Sequence, residues 1–219
     1  MRDVEMVVDQ LMQYFSGPKF REDVEQGKAR FFEGAGILDE ESQDYENKMI
    51  QFSHWYLFSR RLIEYHKTPI EAYEEFNDLR LDTEVIENIK NVRSQRHSLF
   101  EVLKVSGDYI LVKDMFSGYK IKVLGVEFIQ GFNKGDIIES RVIPKNDSFY
   151  FAGSFCFHPP EAKKFIKKEV KVVNKLPVDQ QDTAREDLIF RLFKMNSKYV
   201  QYTHVPLNMI YTNEGQLKF

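Results

Sequence analysis

A single cysteine, Cys156, in 219 residues excludes an intramolecular disulfide and any cysteine cage for zinc, and it points to a reducing compartment. No uncharged apolar run approaches the roughly 18 residues needed to cross a bilayer. The opening MRDVEMVVDQLMQYF mixes acids with its apolar residues, where a secretory signal would show a basic stretch and then an apolar one. The expectation is a cytoplasmic protein without membrane insertion. Internal repeats, low-complexity tracts and long linkers are also missing. So are a P-loop, a glycine fingerprint after a strand, a Gly-x-Ser-x-Gly elbow and an HExxH helix. His54, His66, His97, His158 and His204 show no metal-ligand spacing. Cys156 and His158 would share a strand face, but no orienting acid is visible beside them, and a buried structural cysteine is expected. No catalytic residue, cofactor or metal site is nominated on these grounds.

What is present is a core unusually rich in aromatics, with 19 Phe and 11 Tyr, and an uneven charge. The net charge of −3 divides into −7 over residues 1–97 and +4 over residues 98–219. A basic half can face an anionic partner or the acidic half of its own chain.

From Ser98 to Phe157, strand-like runs alternate with turn signals: SLFEVLKV stops at Gly107-Asp108, YILVK at DMFSG, and YKIKVL, IIESRVIP and FYFAGSFCF follow. Helical patterns lie on both sides. Residues 1–16 carry Val4, Val7, Val8, Leu11, Met12 and Phe15 at helical spacing until Gly17-Pro18, and a second helix holds Phe20, Val24, Phe31 and Phe32 up to the Gly34-Ala35-Gly36 break. The acids of DEESQDYE suit the start of a third, the aromatic helix of residues 49–66. Thr68-Pro69-Ile70-Glu71 reads as a capping box starting a helix through Phe76, and Leu81 to Arg96 as the last helix before the strands. After Pro159-Pro160 comes a lysine-rich amphipathic helix. Asp182 and Thr183, with Glu186, mark a further helix start, and YVQYTHVPLNMIY has the composition of an edge strand. The expected fold class is α+β. A helical region (1–96) precedes a small antiparallel β-barrel of five or six strands (97–158) and C-terminal helices packing on it (159–219).

Phe52, Trp55, Phe58 and Arg60 in an aromatic helix, Thr68-Pro69, the turn Asp114-Met115-Phe116-Ser117-Gly118, and Gly135-Asp136 with Arg141 occur in an order that resembles an uncharacterised bacterial family. That family often carries a SEC-C zinc-binding tail. No such tail is expected here, since nothing from His158 to Phe219 is a cysteine. The resemblance spans about residues 45 to 155 and implies a helical-plus-barrel scaffold without a particular activity.

Two anionic ligands fit the basic residues of this chain. Arg93 and Arg96 ahead of the first strand, with Asp114, Ser117 and Gly118, resemble the PilZ barrel, which grips a cyclic dinucleotide with paired arginines. The spacing departs from it, with Arg-x-x-Arg and Asp-x-x-Ser-Gly. Single-stranded RNA or DNA is the other. Phe100, Tyr109, Phe116 and Tyr119 interleave with Lys104, Lys113, Lys120 and Lys122, and Lys164, Lys168, Lys171 and Lys175 fall on one side of a helix, beside Lys163 and Lys167. Plainer roles stand beside both: Asp114 and Gly118 cap a turn, Gly135-Asp136 makes another, and the lysines form a solvated helix face. Arg60 and Arg61 are expected to reach acids of their own half. The function expected is a non-enzymatic binding module for single-stranded nucleic acid, with a cyclic-dinucleotide sensor or a protein-binding scaffold as alternatives.

Overall fold

The computed structural model describes residues 2–33, 35, 40–41, 45–125 and 131–214. The fold is α+β. In chain order, helices α1 (Arg2–Phe15), α2 (Arg21–Phe32), α3 (Tyr45–Phe58), α4 (Pro69–Ala72) and α5 (Thr83–Arg93) precede strands β1 (Arg96–Val105), β2 (Tyr109–Asp114), β3 (Lys120–Leu124), β4 (Ile137–Lys145) and β5 (Ser148–His158). Helices α6 (Lys163–Val173), α7 (Val178–Gln201) and α8 (Leu207–Ile210) follow. The five strands close a barrel in the order β1-β2-β3-β5-β4. Among the described residues, no helix is long and apolar enough to cross a membrane. Most of the acidic stretch before α3, and Gly34 and Gly36 of the break after α2, lie outside the described residues.

The chain divides into two compact units. The first comprises residues 1–33, 38–96 and 141–154. Its core starts from the helical spacing of α1, which buries Val4, Val7, Leu11 and Phe15. Phe15 meets Phe20 at 4.9 Å and Phe76 at 5.4 Å between ring centres, and the Tyr56 hydroxyl donates to the Phe15 carbonyl at 2.8 Å. Helix α3 is shorter than its apolar pattern predicts, ending at Phe58 where residues 49–66 were expected to be helical. Past Phe58 the backbone leaves the helical path: the Leu62 amide donates to the Lys67 carbonyl at 2.9 Å, and the carboxylate of the buried Asp23 accepts the Ile63 amide at 2.9 Å. The expected helix start at Thr68 is present, with the Thr68 amide donating to Glu71 at 2.9 Å, but α4 gives way to a 3₁₀ turn at Tyr73. Arg60 reaches Asp23 at 3.6 Å as expected, whereas Arg61 donates to the His66 carbonyl. Arg141 is buried, donating to Gln95 at 2.9 Å and Ser59 at 2.7 Å, with its guanidinium 5.5 Å from the Phe58 ring centre. Its role here is to hold the fold.

The second unit comprises residues 34–37, 97–140 and 155–219. Strand β2 pairs antiparallel with β1 and β3, and a register shift between Val102 and Lys104 bends β1. Ile166, Val170 and Val173 of α6 and Leu188, Ile189 and Leu192 of α7 pack with Leu99 of β1 and Ile137 of β4. Helix α7 starts at Val178, after Pro177, so Asp182, Thr183 and Glu186 lie inside it rather than at its start. Pro177 ends the preceding backbone path more decisively than a capping box about one turn later, and the Glu186 carboxylate is turned to His97 instead. The expected edge strand at 199–211 does not form: α7 runs on to Gln201, and Pro206 serves as the N-cap of α8. A proline suits a helix start and removes a donor from a sheet.

Candidate functional site

Helix α6 sorts its residues by spacing. Ile166, Val170 and Val173 are buried on one side, and Lys164, Lys168 and Lys171 are exposed on another, at i, i+4 and i+7. The helical rise places Lys168 about 6 Å and Lys171 about 10 Å along the axis from Lys164. Together with Lys163 and Lys167 they line an open groove of about 930 Å³, whose apolar surface comes from Phe165, Leu207 and Tyr211. Lys163 and Lys167 are already engaged: both reach the Glu101 carboxylate, at 2.8 and 3.1 Å, and share its single negative charge. Lys164, Lys168 and Lys171 form no ion pair among the described residues.

Burial alone would push the Glu101 carboxyl up, but the hydrogen bonds and charges of Lys163 and Lys167 outweigh it and hold the group below its usual range. A carboxyl lowered in the folded state stabilises fully above its unfolded value, near 4.5, and that contribution is lost as pH falls through the lower folded value. Glu101→Gln is therefore expected to flatten the acid limb of the stability profile below pH 4.5, measured by urea midpoints from pH 3 to 7.

The outward side of β2 and β3 is also basic. Tyr109 lies between Lys122, 4.4 Å from its ring centre, and Lys104, at 5.5 Å, while Lys113 stands opposite Lys120 and Tyr119 is 69% exposed. Phe100, expected in this interleaving, is instead fully buried, because it points to the barrel interior, and Phe116 packs partly on the α6–α7 core. Asp114 caps the β2–β3 turn: its Oδ1 accepts the amides of Phe116 at 2.9 Å and Ser117 at 3.0 Å, and Gly118 takes φ 78°. Asp114 is wholly buried. Asp114→Ala should cost about 2 kcal/mol, since two amides lose their acceptor inside the fold, and Asp114→Asn distinctly less; chemical denaturation checks both. Asp136 makes the second expected turn, accepting the Asn133 amide at 2.7 Å. Arg93 and Arg96 fall in the first unit and Asp114 and Ser117 in the second. Arg93 is paired with Glu74 at 3.5 Å and lies over the Tyr73 ring.

A buried polar cluster in the second unit has no counterpart in the sequence motifs. His97 of β1 bridges two carboxylates, with Nε2 3.0 Å from Glu139 of β4 and Nδ1 3.2 Å from Glu186 of α7. Cys156 and His158 share the buried side of β5 as expected, and Glu139 is the acid the sequence did not reveal. Ligand atoms of Glu139, Cys156 and His158 lie within 4.8 Å of one another. His158 Nδ1 is 3.0 Å from the Tyr211 hydroxyl, which donates to Asn196 at 3.3 Å. Burial pushes the His158 imidazole down to about 3, so it is neutral, and burial pushes the Tyr211 phenol up. Four elements and the segment after α8 supply this cluster, and a sequence spacing joins only Cys156 and His158.

A family model described as a family of unknown function (DUF7986) matches residues 10–203. The chain belongs to that family. The DUF7986 match spans helices, barrel and α7 together, which agrees with the expectation of an uncharacterised family. No curated protein and no solved structure matches the chain.

Proposed function

We propose that this DUF7986 protein is a non-enzymatic binding module for single-stranded nucleic acid, acting in the bacterial cytoplasm. The observation that carries this reading is the row of Lys164, Lys168 and Lys171 along an open groove, left without charge partners among the described residues while the neighbouring Lys163 and Lys167 share the Glu101 carboxylate. A phosphate backbone laid along α6 would meet successive cations, and release of its counterions drives the association. The barrel supports the reading. A closed five-stranded barrel of this strand order is the plan of the OB-fold, in which the β2–β3 face binds oligonucleotides. On that face this chain carries Tyr109 and Tyr119 among Lys104, Lys113, Lys120 and Lys122, which suits stacking of bases beside their phosphates. The likeness to the OB-fold is one of strand order alone.

The cyclic-dinucleotide alternative asks more of residues already engaged. Arg93 holds Glu74, and Asp114 spends its Oδ1 on the turn. The scaffold alternative asks for a contiguous apolar patch.

The test is anisotropy of a labelled single-stranded oligonucleotide titrated with protein at several salt concentrations. Binding is expected, with a log–log salt slope of about −0.7 for each phosphate neutralised. Absence of binding at low salt would remove the proposal and turn attention to cyclic dinucleotides and protein partners.

A further inference from the structure

We propose that Glu139, Cys156 and His158 form a binding site for one divalent transition-metal ion, with zinc the best match. The mixture of carboxylate, thiolate and imidazole is a zinc donor set. Around a tetrahedral ion the donors sit about 2.0–2.3 Å from the metal, hence roughly 3.5 Å from one another. The present spread, within 4.8 Å, closes to that with side-chain shifts on the order of 1 Å.

Two further observations point to a ligand. His158 is 95% buried, and its Nε2 is fully enclosed without a hydrogen-bond partner among the described residues. The same holds for Glu139 Oε2. Buried polar atoms are rarely left so, and each costs desolvation energy unless something occupies its lone pair. The other atom of each group is engaged in the way a metal ligand needs. Tyr211 donates its proton to Asn196, so its oxygen can accept from His158 Nδ1–H, which leaves the lone pair on Nε2. Glu139 Oε1 is held by His97, which Glu186 braces from its far side. Two ligands thus each have an outer partner that fixes their orientation.

Charge supports the same assignment. A dication balances the Glu139 carboxylate and a Cys156 thiolate, with a neutral imidazole completing the set, so the buried site carries no net charge. Binding transfers the thiol proton to solvent. Three protein ligands leave one position of the tetrahedron for water or a small ligand.

The experiment uses the full chain, stripped with a chelator and titrated with cobalt(II), then with zinc as competitor. One equivalent of cobalt per chain is expected, with the thiolate-to-metal charge-transfer band, and zinc should displace it and raise the melting temperature. Cys156→Ser should lose the band. Glu139→Gln should weaken zinc at least tenfold, and His97→Gln, outside the coordination shell, by about 10- to 100-fold. A folded wild-type protein without the thiolate band, or with its metal on other histidines, would overturn the proposal, as would an unchanged zinc affinity in Glu139→Gln. Should Cys156→Ser fail to fold, the wild-type spectrum still decides, because the chain has one thiol.

Discussion

Reversing Lys164, Lys168 and Lys171 together to Glu is expected to weaken binding of a single-stranded oligonucleotide roughly a hundredfold at moderate salt and to reduce the salt slope by about 2. The three lysines stand exposed at i, i+4 and i+7, so each can neutralise one phosphate, and each lost contact removes about 0.7 from the slope. Reversal adds repulsion to that loss. Their exposure also means that the melting temperature should barely move, which separates lost binding from lost folding. Glu101→Gln makes the opposite prediction. It releases Lys163 and Lys167 from their ion pairs, so affinity should rise and the slope steepen. A lysine row that is only a solvated face would leave both slopes unchanged. Tyr109→Ala separates the β2–β3 face from the groove, since loss of a stacked base costs about 1–3 kcal/mol with little change in salt dependence.

Phe15→Ala should be the most damaging single change to the first unit, with a loss of about 3–5 kcal/mol. Phe15 is wholly buried, and its ring touches Tyr14, Phe20 and Phe76 with centroid separations of 5.2, 4.9 and 5.4 Å. No single neighbour can fill the space left, because those rings also pack on one another, as Phe20 and Phe76 do at 5.4 Å. A cavity term is therefore added to the lost burial. The melting temperature should fall on the order of 10 °C, followed by circular dichroism. A fall of only one or two degrees would mean that the aromatic cluster collapses around the gap.

The elements legible in the sequence share a local cause. Helix α1 follows from the spacing of Val4, Val7, Leu11 and Phe15, α6 from Ile166, Val170 and Val173, and the strands from alternation punctuated by Gly107, Gly118 and Gly135. The Asp114 turn was readable for the same reason, since an aspartate accepts the amides of residues two and three positions on. Misread elements had their local signal overruled. Helix α3 stops at Phe58, and beyond it the Ile63 amide is held by Asp23, forty residues away, rather than by a helical carbonyl. Residues 199–211 look β-like, yet they finish one helix and start another around Pro206.

For the candidate surfaces, composition and spacing alone located the lysines of α6, because a charged face needs only the helical period to be seen. Which of those lysines are paired was decided by Glu101 on β1, a contact across elements. Of the buried cluster, the sequence showed only the pair Cys156 and His158. Cys156 and His158 are two residues apart on one strand, but Glu139, His97, Glu186 and Tyr211 reach them from β4, β1, α7 and the segment after α8. Helix and strand periods act over a few residues and leave their mark in the sequence. A set of polar atoms drawn from distant elements is joined only when the barrel closes and α7 packs upon it.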